Sequence, residues 1–349
     1  HLPTDRVLAN SPPAAQLAFL RDLLAAQNAS RAGIVSSRAH SNDKTWLLWA
    51  RFCNDLLVDP WLSDSLDPIL LLQVFAQRYR TGAIAPGGRP VKSRTVEGAL
   101  RAVGQAFAGV GAPDPRLTPA GKTEFRLSRQ LRGYTREDPP PNRVKPVPVS
   151  VVHHAANIAR AHNTVEALAV INMLCIAFFF LCRPGEYTAP TGQNAPFRLC
   201  DVTFYVGLRR VLAITATNAN LDSATFVTLT FTTQKNAVRG EVIGLGLSGD
   251  PSVCPVLSTA SRVRHLLAHN APNDTPLCTY FTNNQPSYVT PTDITTTLKA
   301  SVCALVSGIG FHHSEVSAHS LRASGAMALL SAHVGSDTIR LLGRWRSDE

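Results

Sequence analysis

The sequence predicts a mainly α-helical chain of two domains, with a small antiparallel β-sheet in the second. Three observations support this prediction. Apolar residues recur at helical spacing in the first part of the chain, a proline-rich stretch interrupts the helices at residues 138–148, and alternating, β-branched segments lie between residues 197 and 247. With 349 residues, 45% of them hydrophobic, the chain can build two cores.

The first domain, residues 1–142, is predicted to hold five helices and no strand. Residues that favour helix starts precede each apolar stripe, namely Ser11, Ser41, Asp67, Ser93 and Thr118. The fourth and fifth helices are predicted at residues 93–108 and 118–132. Because no strand pattern interrupts the five, we expect an antiparallel helical domain.

The net charge of +10 favours a polyanionic partner. Basic residues concentrate at the start of the fourth predicted helix and at three- and four-residue steps along the fifth. Lysine and arginine release counterions when they neutralise phosphates, so we predict that both groups bind the backbone of double-stranded DNA, although either alone also suits a solvated helix face. The predicted DNA-binding residues are Arg89, Lys92, Arg94, Lys122, Arg126, Arg129 and Arg132.

Cysteine spacing and hydropathy argue against a disulfide-rich protein, a zinc protein and a membrane protein. The seven cysteines show no Cys-x-x-Cys spacing, which argues for reduced thiols and against a disulfide framework or a zinc site. The longest apolar run, residues 165–182, is interrupted by Glu166 and Asn172, so a buried core helix is predicted there rather than a membrane span.

The second domain, residues 143–349, is predicted to combine helices with one sheet. Helices at residues 149–161 and 164–181 come first, and the second is so apolar that we expect it at the centre of the core. Strands are predicted at 197–204, 210–217, 226–233 and 241–247, and a hairpin tip carrying Lys235 joins the last two. Further helices are predicted at 255–269, 291–306, 320–330 and 337–342.

Candidate functional residues lie at the ends of these elements. Arg183 directly follows the buried helix, and Glu186 is close enough in sequence to orient its guanidinium. His319 and Arg322 share a face at a helix start, where backbone N–H groups favour an anion. Taken singly, each has an ordinary alternative: Arg183 as a partner of helix-terminal carbonyls, Lys235 as a solvated lysine, and His319 as a helix cap.

Their order along the chain resembles that of the tyrosine recombinases, the phage-integrase-like family. The residues that carry the resemblance are Arg183, Glu186, Lys235, His319-Ser-Leu-Arg322 and Gly343-Arg-Trp345, and it covers nearly the whole chain. The motifs Cys182-Arg-Pro-Gly-Glu186 and Gly343-Arg-Trp-Arg-Ser-Asp348 are most similar to those of Crypton-type recombinases of eukaryotic mobile elements. The resemblance implies a helical core-binding (SAM-like) domain followed by a mixed α+β catalytic domain, and residence in the nucleus.

The resemblance also implies a reaction, in which DNA is cut and rejoined through a 3′-phosphotyrosyl intermediate. Arg183 and Arg322 would neutralise the non-bridging phosphate oxygens, since guanidinium groups match that geometry. His319 would assist proton removal from the nucleophile, and Lys235 would protonate the leaving 5′ oxygen.

Two further residues have implied roles at the same phosphate. Trp345 stands where most relatives carry a second histidine, and its indole N–H can donate a hydrogen bond but cannot shuttle protons. Glu186 would hold Arg183 in place. No cofactor or metal is expected, because the arginines supply the positive charge, and the protein is expected to assemble as a dimer or tetramer on DNA.

The family's nucleophilic tyrosine lies shortly after the position of Trp345, and no tyrosine follows Arg322 in this sequence. We expect that the chain is cut before the nucleophile, and that as given it binds DNA without forming the covalent bond. Two alternatives remain, a recombinase-derived DNA-binding protein that never cuts and a type IB topoisomerase. A metal hydrolase built on His312, His313 and His319 is disfavoured, since no further ligand stands at a suitable spacing.

Overall fold

The computed structural model describes residues 11–34, 36–63, 67–140, 144–191, 195–232 and 240–345. The chain divides into two compact units, residues 1–140 and 141–349, and each has its own hydrophobic core. The described residues are mainly helical with a small antiparallel sheet, which confirms the predicted fold class. Within these ranges no helix combines the length and the apolar composition that crossing a bilayer requires.

The first unit is helical, as predicted. Its core is aromatic: Trp49 contacts Phe52 and Phe75, with ring centroids 5.7 and 5.2 Å away. Its described helices are α1 (Pro13–Ala32), α2 (Ser36–Asp55), α3 (Pro68–Thr81), α4 (Ser93–Gly109) and α5 (Phe125–Glu137).

Two helix starts differ from the prediction. Helix α2 begins at Ser36, before the predicted Ser41. Helix α5 begins at Phe125 because Glu124, not Thr118, caps it: the Glu124 carboxylate accepts hydrogen bonds from the backbone N–H groups of Arg126 and Leu127. The preceding residues form a turn in which the Thr118 N–H donates to the carbonyl oxygen of Lys122 at 2.7 Å.

The second unit is organised around a buried helix, α7 (Val165–Phe179), as predicted. It packs directly against five of the described helices: α6 (Val149–His162), α8 (Pro184–Tyr187), α10 (Pro255–Ala268), α11 (Pro291–Ala304) and α13 (Ser320–Ser331). 

Nine α7 residues are buried, including Met173 and Leu174 with no exposed surface, so α7 is the centre of the second core.

The sheet of the second unit has the strand order β2-β1-β3-β4, and all its neighbours are antiparallel. The strands are β1 (Val202–Val206), β2 (Arg209–Leu212), β3 (Phe226–Phe231) and β4 (Glu241–Gly246). The first two are shorter than predicted, because residues 199–201 and 213–215 form single 3₁₀ turns at their outer ends. Helix α9 (Asn218–Asp222) then leads into β3.

A second hairpin, β5 (Thr279–Thr282) and β6 (Gln285–Tyr288), was not predicted. Its turn is formed by Asn283 and Asn284, both with positive φ angles of 51° and 60°. Asparagine tolerates this left-handed conformation, but Asn-Asn is a weaker hairpin signal than Asn-Gly. The remaining helices are α12 (Val306–Ile309) and α14 (Ser336–Gly343).

Gly325 lets α13 pack closely against α7. A Cβ atom at this position would overlap the carbonyl oxygen of Phe178 and the side chain of Leu181. We therefore expect Gly325→Ala to lower the free energy of unfolding by about 1–3 kcal/mol, as overpacking does. Urea unfolding of the variant measures this change.

Gly98→Ala is the matched control, because Gly98 is also helical and a Cβ there meets no atom within 4 Å. Its expected effect is a stabilisation of up to about 1 kcal/mol, from helix propensity alone. Equal effects of the two substitutions would contradict the close packing at Gly325.

Candidate active site

The end of α7 delivers Arg183 to the surface of the second core. Arg183 is the N-cap of α8, and its backbone N–H donates to Glu186 Oε2 at 2.8 Å. Its guanidinium Nη1 lies 3.2 Å from Glu186 Oε1. The Arg183 side chain remains 30% exposed while that of Glu186 is only 9% exposed, so a buried carboxylate orients a guanidinium that solvent can reach.

Arg322 lies in the first turn of α13 and approaches the same place. Its Nη2 donates to the carbonyl oxygen of Gly343, and its guanidinium lies over the Trp345 ring, 4.8 Å from the centroid. Its Nη1 is buried and has no hydrogen-bond partner among the residues described. Burial, followed by the positive charges of Arg183 and Arg344, lowers the pKa of Arg322 to about 10. Arg322 therefore belongs to the same cluster as Arg183, connected through Gly343, Arg344 and Glu186.

Arg344 is a member of this cluster that the sequence did not single out. Its side chain is 1% exposed, and its Nη2 donates to Glu186 Oε2 at 2.8 Å. The guanidinium also donates to the carbonyl oxygens of Phe180 and Leu181, at 3.2 and 3.3 Å, and lies 3.6 Å from the centroid of the Phe231 ring. The only sequence signal was its place between Gly343 and Trp345.

Trp345 packs back onto the helix end that precedes it. A Cβ atom at Gly343 would overlap the indole ring, so this position requires glycine. Arg344 between them adopts a left-handed backbone with φ 56°, which turns the chain back at the end of α14. The segment 343–345 thereby contacts Arg322 through a carbonyl oxygen and an aromatic face.

His319 is the N-cap residue of α13 and is exposed. Its backbone N–H donates to Ser317 Oγ at 3.2 Å, but its imidazole has no hydrogen-bond partner in the described part of the chain. The ring is thus available to a ligand at the start of the helix that carries Arg322. Lys235 lies outside the described residues, so its predicted position stays a prediction.

The charge balance of the cluster favours an anion. The guanidinium groups of Arg183 and Arg344 bond the carboxylate of Glu186, and Arg322 adds a third positive charge to the cluster. Cys182 lies beside them, but burial and then the charge of Glu186 raise the pKa of its thiol, so it stays protonated. Excess positive charge at a partly buried site suits a phosphate group.

Within the described ranges, no three histidine, cysteine, aspartate or glutamate side chains lie together as a metal site would require. The rings of His312 and His313 are 3.9 Å apart, and His312 caps the turn at Ser314. All seven cysteines are free thiols, and only Cys200 and Cys303 are exposed.

In the first unit, most of the predicted basic residues are exposed. Arg89, Lys92 and Arg94 lie at or just before the start of α4, and Arg129 and Arg132 lie on α5. Asp138, directly after α5, accepts a hydrogen bond from the Ser93 backbone N–H at 2.8 Å. This bond holds the end of α5 beside the start of α4, so the two basic groups belong to neighbouring elements.

The predicted helical stripe of basic residues needs correction at two positions. Lys122 is exposed but lies in the turn before α5, because the helix starts later than expected. Arg126 is paired, with Nη1 2.6 Å from Asp67 Oδ2 and Nε 3.0 Å from Glu124 Oε1. Since Asp67 caps α3 and Glu124 caps α5, Arg126 joins two helix starts, and its contact with DNA stays a prediction.

No protein-family model matches the chain, and no curated protein sequence does. Among solved structures, the chain is similar to the Tn1549 transposon integrase in complex with transposon right-end DNA, with 12% sequence identity and a TM-score of 0.45. The match covers 82% of this chain and 79% of that chain. It is also similar to the XerH site-specific recombinase bound to its difH substrate, with 11% sequence identity and a TM-score of 0.39. This match covers 82% of this chain and 73% of that chain. Because these values are low, we infer function from the residues of this chain alone.

The buried pair of Glu186 and Arg344 makes a testable contribution to stability. Glu186→Gln keeps the side-chain shape but leaves Arg344 without its counter-charge, so we expect the free energy of unfolding to fall by about 3–5 kcal/mol. Urea unfolding measures the change. The control is Glu97→Gln, which breaks an exposed pair with Arg101 and should cost less than about 1 kcal/mol. A similar small loss in both variants would contradict a buried ion pair at Glu186.

Proposed function

We propose that this protein is a DNA strand transferase of the tyrosine recombinase type, which cuts and rejoins double-stranded DNA at a single phosphodiester. The observation that carries the proposal is the meeting of Arg183 and Arg322, 139 residues apart in sequence, beside a buried Arg322 Nη1 that has no protein partner in the described chain. Two guanidinium groups at one place match the non-bridging oxygens of a phosphate.

The arrangement supports a division of roles. Arg183 and Arg322 would stabilise the negative charge that develops on the phosphate in the transition state. His319, exposed at the start of the same helix as Arg322, would hydrogen-bond the phosphate and assist removal of the proton from the nucleophile. Trp345, held over Arg322, would position that guanidinium, and Lys235 is proposed as the acid that protonates the leaving 5′ oxygen.

The nucleophile in this proposal is a tyrosine, in keeping with the family that the sequence resembles. Attack by its oxygen on phosphorus would form the 3′-phosphotyrosyl bond and release the 5′ oxygen, and the reverse step with another 5′ hydroxyl would rejoin the strand. We also propose, from the sequence of these motifs alone, that the protein is a Crypton-type recombinase that works in the nucleus as a dimer or tetramer.

The exposed basic residues of the first unit favour a second candidate, a DNA-binding protein that never cuts. Arg89, Lys92 and Arg94 could neutralise backbone phosphates whether or not the second unit acts on them. The two candidates differ in one observable, the covalent attachment of protein to DNA.

Covalent capture tests the recombinase proposal. A chain that continues beyond Glu349 to a tyrosine, incubated with nicked suicide DNA substrates, should give a protein band shifted by the attached oligonucleotide. Arg322→Ala should abolish the shifted band, because it removes one of the two phosphate-binding guanidinium groups. Arg340→Ala is the control, because it also removes an arginine from this part of the chain, one that lies on α14 and pairs with Asp337 at 4.0 Å. It should leave the shifted band in place. Normal capture by the Arg322 variant would contradict the proposed clamp, and no capture by any form would favour the non-cutting candidate.

Salt-dependent binding tests the surface of the first unit. Changing Arg89, Lys92 and Arg94 together to alanine should reduce the slope of log K against log salt by about 2–3, since each lost phosphate contact contributes about 0.9. Fluorescence anisotropy with a labelled duplex measures the slope. Arg126→Gln should change the slope less, because Arg126 is already paired with Asp67 and Glu124. A slope that drops only for Arg126→Gln would place the interface on α5 instead.

A further inference from the structure

Glu186 is shared between two arginines that differ in their freedom to move. Arg344 is held by Glu186, by three backbone carbonyl oxygens and by the Phe231 ring, and is almost wholly buried. Among the described residues, the Arg183 side chain donates a hydrogen bond to Glu186 alone, and it is partly exposed. The carboxylate therefore has one fixed cationic partner and one that can turn toward a ligand.

We propose that Arg344 is a positioning residue that, by neutralising Glu186, keeps the guanidinium of Arg183 available to a phosphodiester. This inference rests on the proposed function and assigns a role to a residue outside the predicted catalytic set. Arg344 itself would not touch the phosphate, because its side chain is 1% exposed and its donors face the protein.

The distances show how this positioning would operate. Glu186 Oε2 accepts from Arg344 Nη2 and from the Arg183 backbone N–H, both at 2.8 Å, while Oε1 accepts the longer bond of 3.2 Å from Arg183 Nη1. The stronger charged contact of the carboxylate is thus with Arg344. Arg183 uses one of its N–H groups on Glu186 and keeps others for a ligand.

Loss of Arg344 would change this balance. A buried carboxylate without its main counter-charge is costly, so Glu186 would draw Arg183 into a closer, two-bond pair. The N–H groups of Arg183 that now face outward would then be occupied by Glu186. The phosphate would lose one of its two guanidinium partners without any change to Arg183 itself.

The same segment also reaches the second arginine of the clamp. Gly343 accepts the hydrogen bond from Arg322, and Trp345 lies over the Arg322 guanidinium. Arg344, between them, reaches Arg183 through Glu186. Three consecutive residues at the end of α14 thus contact both Arg322 and the partner of Arg183, Glu186. An ion pair that served only the stability of the core would not need contacts to both arginines.

NMR of the arginine side chains tests the proposal on the 349-residue chain. Inorganic phosphate is the probe, and the Nε–Hε signals of Arg183 and Arg322 are assigned with Arg183→Lys and Arg322→Lys. In the wild type both signals should shift on titration. In Arg344→Met the phosphate dissociation constant read from Arg183 should rise by about tenfold, the effect of losing one charged hydrogen bond, while the Arg322 signal still responds.

A double variant separates positioning from packing. Arg344→Met with Glu186→Gln removes the carboxylate that would capture Arg183, so the dissociation constant should be lower than in the single variant although Arg344 is still missing. This variant buries no unpaired charge at the site, and it should fold even if the single variant does not. Arg340→Met, one turn earlier on α14, removes the same charge outside the cluster and should change neither signal.

The possible results are distinguishable. Arg183 responding normally in Arg344→Met, or the double variant binding no better than the single one, would overturn the role of Arg344 but leave the proposed function intact. A wild-type protein in which neither arginine responds would overturn the proposed phosphate site, and this inference with it.

Discussion

The candidate site depends on one buried carboxylate. Glu186 accepts hydrogen bonds from Arg183 and Arg344, which are 161 residues apart in sequence. Without a negative charge there, three guanidinium groups would repel one another in a partly buried setting, and already their mutual repulsion contributes to lowering the pKa of Arg322. The carboxylate allows positive charge to accumulate where a phosphate could use it.

The fold holds this arrangement through its most apolar helix. Helix α7 ends at the cluster, and the carbonyl oxygens of Phe180 and Leu181, just beyond its last turn, bind Arg344. Gly325 brings α13 close to the same end of α7, which fixes the helix that carries Arg322. Rigid, buried elements thus position the polar groups of the site, as precise binding of a small anion requires.

Much of this was predictable from the sequence, and the failures have physical causes. Helical periodicity indicated α7 and α13, and the motifs indicated Arg183, Glu186 and Arg322. Arg344 was missed because burial of a cation depends on a carboxylate 158 residues away in sequence, which no local pattern reveals. The start of α5 was misplaced because a glutamate side chain capped the helix where Thr118-Pro119 had the stronger local signal.

The central claim is that Arg183 and Arg322 hold one phosphate together. A crystal structure of the protein with a duplex oligonucleotide measures this directly. The account predicts a single backbone phosphate within hydrogen-bonding distance of both guanidinium groups, with Arg344 still bound to Glu186. A phosphate bound by only one of the two arginines, or DNA that passes the second unit without reaching them, would contradict it.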